Sequence, residues 1–296
     1  MAVVTSSGEP RTPARAPTPT TPVRPRAQVI GRVVVYTLLT ILALVFFVPF
    51  LWSVSTSLKT LPDANEFSLL PPNPTLAGYR EALTTFDFAQ YALNSAIVAA
   101  AVTACNVLLA SLGGYAFARL RFPGRNFLFL LVLATLMIPD QLRLVPVYQM
   151  LTGLELINTR RGYVLIYLVQ ATSLFLMRQY FLSLPKDLEE AAKLDNAGYF
   201  KTFWKVMLPL AAPAVAGVAI LAFQGAWNEF FWPLLIFQDR GLYTLPIGIT
   251  QFVFTYQTNW PPLMAASVIS ILPIFLMFVF LQRYFVAGAA AAAVKG

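Results

Sequence analysis

The side chains that most often perform covalent or acid–base chemistry are nearly absent from this sequence. It contains no histidine and a single cysteine, Cys105, among 296 residues. Without histidine neither a Ser-His-Asp nor a Cys-His nucleophile can be assembled, and the usual His/Cys zinc sites are excluded as well. Only carboxylate or Ser/Lys catalysis would remain, and no pair of acidic residues lies within an apolar segment. We therefore expect no catalytic residues, no metal site and no cofactor bound by this chain.

Charged residues are densest between residues 183 and 210, where their order predicts a helix, a turn and a second helix. Pro185 suits the first turn of a helix, and acidic side chains after it complement the positive helix N-terminus. These acidic residues are Asp187, Glu189 and Glu190. Asp195-Asn196 should stop the first helix, because asparagine tolerates the left-handed conformation. The second helix is expected to start near Ala197.

Apolar residues give this segment one hydrophobic side. They are Leu188, Ala191, Ala192 and Leu194 in the first helix, and Phe200, Phe203, Trp204 and Met207 at helical spacing in the second. Such a side indicates either a surface that a partner approaches closely or an amphipathic helix lying on a membrane. Periodicity alone leaves both interpretations open and favours the membrane-surface helix.

The rest of the sequence predicts a membrane-embedded scaffold for this segment. Hydrophobic residues make up 58% of the chain and charged residues 11%, whereas a soluble domain usually carries about 25% charged residues. Four segments contain no Asp, Glu, Lys or Arg: 33–58, 88–118, 206–228 and 241–282. Each is long enough for the roughly 20 apolar residues that cross the hydrocarbon core as a helix.

We therefore expect an all-α, polytopic membrane protein with six transmembrane helices and a cytoplasmic helix-turn-helix loop. The predicted spans are Val33–Trp52, Leu93–Phe117, Phe127–Val147, Tyr163–Leu182, Leu210–Phe231 and Met264–Tyr284. The third span contains Asp140 and Arg143, and it is expected to bend at Pro139.

The distribution of basic residues predicts the orientation. With the N-terminus in the cytoplasm, 15 of the 21 Lys and Arg residues fall in inside segments. The positive-inside rule then places both termini in the cytoplasm. The same spread over short loops explains the net charge of +8 without a nucleic-acid surface. Residues 1–28 are rich in Pro, Thr, Ser and Arg and are predicted to be disordered.

The segment after residue 183 resembles the EAA loop of binding-protein-dependent ABC transporter permeases. The family pattern is Glu-Ala-Ala, two residues, Asp-Gly-Ala, five residues, then Phe and, six residues on, Pro. The matching residues are Glu190, Ala191, Ala192, Asp195, Ala197, Phe203 and Pro209. Asn196 stands where the family usually has glycine. Because asparagine is the next-best residue for a positive φ, the turn is expected to survive.

Three further stretches resemble the carbohydrate-uptake branch of the family, of which the maltose-type permeases are best known. They are Tyr115–Arg125, Ala226–Phe230 and Ala293–Gly296. The predicted organisation is a disordered cytoplasmic tail (1–28), a first transmembrane helix with an outer loop (29–88), an importer-type core (89–285) that includes the EAA loop at 183–209, and a cytoplasmic C-terminal tail (286–296).

The resemblance implies a permease subunit of an ATP-driven sugar importer in the bacterial inner membrane. The sequence lacks a G-x-x-x-x-G-K-[ST] phosphate loop, so MgATP is expected on a partner. By resemblance, that partner is a cytoplasmic ATPase in two copies. A second permease subunit forms a heterodimer with this chain, and an extracytoplasmic solute-binding protein delivers the sugar. The predicted ATPase-coupling residues are Glu190, Ala191, Ala192, Asp195, Asn196 and Ala197, while the substrate-binding residues are unknown.

Polar and small residues in or near the spans have structural interpretations that we favour over sugar binding. Glu229 is expected at the outer interface, where it snorkels or caps the outer loop. Asn94, Asn106, Gln170 and Gln224 are expected to form hydrogen bonds between helices. The Gly113-Gly114 pair with Ser111 predicts close helix packing, and the aromatic-rich segment 252–260 an interfacial belt.

Two other functional classes are compatible with a polytopic membrane protein. A secondary transporter or channel that is not coupled to ATP would need coupling charges near the bilayer midplane, and the predicted spans show none that are clear. A membrane-embedded enzyme would need the paired acids or nucleophiles that the sequence lacks. Identifying the proteins that co-purify with the chain would separate these classes.

Overall fold

The computed structural model describes residues 26–66, 68–85, 87–253 and 258–293. Within these ranges the secondary structure is helical, apart from an isolated antiparallel bridge between Val253 and Thr258. The predicted all-α membrane fold is therefore confirmed. Most of the predicted N-terminal tail, part of the aromatic segment 252–260 and the last three residues lie outside the described residues.

The helices follow one another closely along the chain. They are α1 (Arg26–Ser57), α2 (Leu61–Ala64), α3 (Ala77–Thr84), α4 (Phe88–Arg119), α5 (Arg125–Thr135), α6 (Asp140–Gly153), α7 (Arg160–Ile166), α8 (Ala171–Ser183), α9 (Asp187–Leu194), α10 (Tyr199–Thr202), a π-helical turn (Phe203–Met207), α11 (Leu208–Leu210), α12 (Ala212–Asn228), α13 (Phe231–Ile236), a 3₁₀ turn (Arg240–Leu242), α14 (Leu245–Thr250) and α15 (Trp260–Ala293).

Six segments are long and apolar enough to cross a membrane if each bent pair of helices counts as one span. Three are single helices, with spanning parts Ile30–Ser57, Phe88–Arg119 and Trp260–Tyr284. Three are pairs broken by at most four residues: α5 with α6, α7 with α8, and Tyr199–Leu210 with α12. This matches the predicted number of spans, but half of them are broken.

The break between α5 and α6 lies at the predicted position. Pro139 has a ψ of 141°, and the two helix axes differ in direction by 102°. Proline removes a backbone donor and disfavours the helical conformation of the residue before it, so the chain leaves the helix here. The change of direction is much larger than the kink expected within one continuous span.

The break between α7 and α8 was not predicted, because no proline or glycine lies near it. The 50° bend occurs over Tyr167–Gln170, and Asn106 of α4 binds both sides of the gap. Its Nδ2 donates to the Tyr167 carbonyl at 2.8 Å, and its Oδ1 accepts from the Gln170 amide at 2.9 Å. A side chain from another span thus satisfies the backbone groups that the break would leave unpaired in the membrane.

The two terminal helices are longer than the predicted spans. The first begins at Arg26, within the segment predicted to be disordered. The last continues to Ala293, through most of the predicted C-terminal tail. Alanine has the highest intrinsic helix propensity, which explains why the run 289–293 stays helical. The predicted domain boundaries otherwise remain predictions.

The chain divides into two compact units, Met1–Phe50 and Leu51–Gly296. In the first, α1 exposes apolar side chains from Ile30 to Val48, as suits a surface that faces lipid. The second is organised around α4, which packs most extensively against α8 and α12.

Two buried clusters lie along α4 in the second unit. We call them the distal core, built on the N-terminal half of α4, and the proximal core, built on its C-terminal half. The distal core includes Tyr91, Val98, Ala99, Tyr163, Trp227 and Trp232. The proximal core includes Ala110, Tyr115, Met177, Phe181, Phe203 and Met207.

Gly114 explains how α4 and α8 approach so closely at the proximal core. A Cβ at this position would lie 2.6 Å from the Met177 Cβ and 2.9 Å from the Arg178 amide nitrogen. Neither distance is sterically possible without a shift of α8. The prediction that this glycine allows close helix packing is confirmed.

Candidate functional site

Helix α9 and the turn after it form the predicted coupling segment. The helix begins at Asp187, two residues after Pro185, with three carboxylates in its first turn and Lys193 in its last. This charge distribution complements the helix dipole at both ends. The predicted helix is therefore present, but Pro185 precedes it instead of lying in its first turn.

The turn after α9 has the geometry of a Schellman motif. Asn196 has a φ of 57°, and its amide donates to the Lys193 carbonyl at 3.0 Å. The Ala197 amide donates to the Ala192 carbonyl at 2.9 Å. These bonds satisfy carbonyls that the helix end would leave free. The prediction that Asn196 adopts the left-handed conformation is confirmed.

The second helix of the segment begins at Tyr199 and divides its aromatic residues between two sides. Phe203 and Met207 are buried in the proximal core. Phe200 is 71% exposed and Trp204 is also exposed. A π-helical turn at Phe203–Met207 interrupts the helical repeat here. These residues therefore do not form the single hydrophobic side that their spacing predicted.

The six predicted coupling residues are not equally accessible. Four are exposed, namely Glu190, Ala191, Asp195 and Asn196, and Ala197 is half-buried. Ala192 is only 7% exposed, because its side of α9 faces the bundle. The structure thus corrects the expectation that both alanines of the Ala-Ala pair are open to a partner. Ala191 is the one available for contact.

Arg119, at the C-terminal end of α4, ties α9 to the spans. Its guanidinium donates to the Phe181 carbonyl at 2.6 and 3.0 Å and to the Leu184 carbonyl at 2.5 Å. Its Nη1 lies 3.9 Å from Glu189 Oε2. The side chains of Arg119 and Glu189 are only 5% and 18% exposed. One arginine therefore holds together the ends of α4 and α8 and the first turn of α9.

Sequence reasoning missed this role of Arg119. The residue lies within the stretch Tyr115–Arg125, which was noted only for its family resemblance. Its position at the end of an apolar span gave one usable signal, because a cation at a helix C-terminus finds free carbonyls nearby. That the carbonyls belong to another helix depends on the tertiary packing.

At the opposite end of the bundle, Glu229 caps α13. Its Oε1 accepts from the Phe231 and Trp232 amides at 2.9 and 3.3 Å, and its Oε2 accepts from the Tyr167 hydroxyl at 2.8 Å. The prediction of a capping role is confirmed.

Asn94 and Asn106 hydrogen-bond to backbone groups of other segments, as predicted for polar groups in the spans. The Nδ2 of Asn94 donates to the Gly241 and Tyr243 carbonyls at 2.8 and 2.9 Å. The backbone amide of Gln170 pairs with Asn106, but its side chain has no hydrogen bond among the described residues. The same is true of the exposed side chain of Gln224.

Comparisons with known proteins place this arrangement among transport proteins. The family described as binding-protein-dependent transport system inner membrane component matches residues 107–290. The arabinooligosaccharides transport system permease protein AraQ of Halalkalibacterium halodurans is 41% identical over 203 residues, or 69% of this chain and 73% of the relative. The trehalose/maltose transport system permease protein MalG of Thermococcus litoralis is 35% identical over 276 residues, or 92% and 99%.

A solved structure shares the fold. It is described as the crystal structure of a bacterial ABC transporter involved in the import of the acidic polysaccharide alginate. The similarity has a TM-score of 0.78 at 24% identity and covers 90% of this chain and all of the other.

Proposed function

This chain belongs to the family of binding-protein-dependent transport system inner membrane components, and we propose that it imports a carbohydrate. The family makes it a transmembrane permease subunit of an ABC importer. The carbohydrate proposal rests on relatives that are named for arabinooligosaccharide and for trehalose and maltose transport, one of them matched over 92% of this chain. The choice among sugars depends on residues that the relatives need not share.

The exposed side of α9 and its turn is the proposed docking surface for the ATPase that binds MgATP. It consists of Glu190, Ala191, Asp195, Asn196 and Ala197. The small side chain of Ala191 allows another surface to come close. Ala192 contributes differently, because its buried methyl group lets α9 lie against the bundle. The docking surface is thus carried on a helix whose other side is fixed by Arg119.

Three exposed apolar side chains extend this surface beyond the predicted residues. Leu194 is 89% exposed, and Tyr199 and Phe200 are also largely exposed. They lie on either side of the Asn196 turn. Exposed apolar residues clustered at one place on a protein commonly mark a protein contact. We include them in the surface covered by the ATPase.

One face of α12 is the proposed lining of the translocation pathway. Leu221, Gln224, Gly225 and Asn228 recur at helical spacing and are exposed, and neither polar side chain has a hydrogen-bond partner among the described residues. Polar groups in a spanning helix normally face a bundle interior or a water-filled cavity. A pathway shared with a second permease subunit would supply that environment and hydrogen-bonding groups for a sugar.

The proposed assembly contains this chain, a second permease that forms a heterodimer with it, two copies of the ATPase and an extracytoplasmic binding protein. It lies in a bacterial inner membrane with both termini of this chain in the cytoplasm. The Lys and Arg distribution supports this orientation, because α9 and the other basic loops then face the cytoplasm.

Thiol labelling tests the orientation. In a Cys105→Ser background, a cysteine at Arg121 or Lys201 should be protected from an impermeant external reagent, and one at Arg240 should react. The opposite result would reverse the proposed topology. Gln257, in the predicted outer loop, lies outside the described residues and is a second position for external labelling.

An aspartate substitution at Ala191 tests the docking surface. Ala191→Asp should abolish ATPase co-purification and sugar uptake while the chain still reaches the membrane in normal amount. The matched control is Ala77→Asp, which places the same side chain on an exposed alanine of α3. Retention of the ATPase and of full uptake by Ala191→Asp would reduce α9 to an ordinary surface helix. Uptake that persists without any ATPase would favour a secondary transporter or channel.

A further inference from the structure

A cluster of basic side chains surrounds the connection between α4 and α5, close to α9. A cleft of about 760 Å³ is lined there by five cationic residues and two carboxylates. The cations are Arg119, Arg121, Arg125, Lys186 and Lys193, and the carboxylates are Glu189 and Glu190. The cleft therefore has an excess of positive charge before any ligand enters.

The charges in this cleft are poorly neutralised by the chain itself. Among the five cations of the cleft, only Arg119 has a carboxylate of the described residues within ion-pair distance, that of Glu189. Arg125 donates one bond to the Leu120 carbonyl at 3.1 Å, which leaves most of its guanidinium donors free. Arg121 and Lys186 are exposed, and neither side chain has a hydrogen bond or ion pair among the described residues. The unpaired donors suit an anion with several acceptor oxygens, such as a phosphate ester.

The surface beside these cations is apolar. Helix α5 starts at Arg125 and exposes Phe127 (63%) and Leu130 (62%), followed by Leu131. The cations thus stand at the end of an apolar span, at the boundary between hydrocarbon and water. A ligand that covers both parts must carry an anionic head and a hydrocarbon tail. A soluble anion or an acidic loop of a protein would leave the apolar part uncovered.

We propose that Arg121, Arg125 and Lys186 bind the phosphate group of an anionic phospholipid, whose acyl chains lie along Phe127, Leu130 and Leu131. A planar guanidinium can bind two phosphate oxygens at once, and the lysine adds a point charge. The occupied cleft brings the headgroup next to Arg119 and Glu189, the contact that fixes α9. The proposal does not depend on the identity of the transported solute.

Native mass spectrometry of the full chain in mild detergent tests the site. The chain is titrated with phosphatidylglycerol or phosphatidylcholine, and bound lipid is counted. The double variant Arg121→Gln/Lys186→Gln removes two cations that have no described internal contact, so folding should be unaffected. Since each interfacial cation contributes about a fivefold gain in affinity, losing two should weaken phosphatidylglycerol binding by about 25-fold. Phosphatidylcholine should bind the wild-type chain more weakly than phosphatidylglycerol does.

The matched control is Lys201→Gln/Arg283→Gln, which removes the same charge elsewhere and should retain phosphatidylglycerol. Equal loss in both variants would mean a general charge effect and would overturn the proposal. Displacement of the lipid by millimolar inorganic phosphate would assign the cleft to a soluble anion instead. If Arg121→Gln/Lys186→Gln lost a co-purifying ATPase but kept the lipid, the basic cluster would be a protein contact.

A substitution in the apolar surface of α5 tests the proposed position of the acyl chains independently of the cations. Leu130→Ser keeps every cation but removes an exposed apolar side chain from the acyl-chain surface. It should weaken binding of long-chain phosphatidylglycerol while leaving binding of a short-chain analogue unchanged. Equal binding of the long-chain lipid by wild type and variant would contradict the proposed path of the acyl chains.

Discussion

At the distal end of the bundle, several polar side chains pair with backbone groups of other segments, whereas at the proximal end a cleft gathers five cations, of which two have no side-chain partner among the described residues. Asn158 Oδ1 accepts the Gln238 and Asp239 amides at 2.9 and 3.0 Å, and Ser95 accepts the Leu245 amide at 2.8 Å. Even the fully buried Lys59 donates to the Ser68 carbonyl at 2.6 Å and lies over the Trp52 ring. Arg121 and Lys186 have no comparable partner.

The two ends therefore use their polar side chains differently. The distal end connects several short helices and turns, and side-chain hydrogen bonds satisfy part of that irregular backbone. The proximal end includes the short helices α9 to α11 and the π-helical turn. Arg119, Arg178 and Tyr180 each hydrogen-bond there to a carbonyl of another helix, and exposed charged and apolar residues lie around them. The surface of the proximal end is where the proposed partners bind, the ATPase on α9 and a lipid in the neighbouring cleft.

Among the substitutions considered, replacing Arg119 should lower the stability of the chain the most. Arg119→Gln removes the ion pair with Glu189 and most of the bonds to the Phe181 and Leu184 carbonyls, and it leaves a largely buried carboxylate. We expect a loss of about 3 kcal/mol in the free energy of unfolding, measured by denaturation in mixed micelles. The double variant Arg119→Gln/Glu189→Gln should recover part of it. If both variants were as stable as wild type, Arg119 would not be the tie that holds the proximal end.

Filling the close contact between α4 and α8 at Gly114 should cause the next largest loss of stability. Gly114→Ala places a Cβ against Met177 and should cost about 1–3 kcal/mol of stability, as overpacking does. Gly225→Ala is the matched control, because that site has open space around it. The control should be neutral or slightly stabilising, since alanine favours helix. Equal thermal stability of the two variants would show that α4 and α8 can move apart without cost.

Substitutions at Asn196 test whether the left-handed turn is needed for binding of the ATPase. Asn196→Val forces a β-branched residue into a positive φ and should cost about 1–2 kcal/mol locally. It should reduce both ATPase retention and uptake, while Asn196→Gly should leave them normal or improved. ATPase retention and uptake are measured in the same membranes for each variant. Normal function of the valine variant would mean that the left-handed turn is dispensable.

The smallest effect is expected for Asn106, which holds the break between α7 and α8. Asn106→Leu leaves the Tyr167 carbonyl and the Gln170 amide without their partner. Hydrogen bonds between membrane helices average about 0.6 kcal/mol, and two bonds are lost here, so a cost near 1 kcal/mol is expected. The reference is the thermal unfolding of Leu108→Asn, the reverse exchange at an exposed position of the same helix. A stabilised Asn106→Leu variant would show that the break does not need this side chain.

Local chemistry predicted much of the fold and of the coupling segment. Pro139 marked a real break, Gly114 a real close contact, and Asn196 a left-handed turn, because each depends on the backbone preference of a single residue type. The four long charge-free segments predicted four of the six spans, since the bilayer thickness sets the length of a spanning helix.

The features that sequence reasoning missed depend on contacts between distant parts of the chain. Nothing in the sequence near Tyr167–Gln170 predicts a break, because the side chain that stabilises it comes from α4. The burial of Ala192 and the exposure of Ala191 depend on the rotation of α9 against the bundle. That rotation is set by Arg119 and Glu189, which are 70 positions apart.

Helix α4 has a mechanical consequence that follows from its length. It is unbroken over 32 residues, or about 48 Å at about 1.5 Å per residue, while three other spans are interrupted. It reaches from the distal core to Arg119. A stiff rod of that length acts as a lever arm, so a tilt of about 5° at one end displaces the other by about 4 Å. A small rotation imposed through α9 would thus arrive at the far side of the membrane as a movement larger than an atomic diameter.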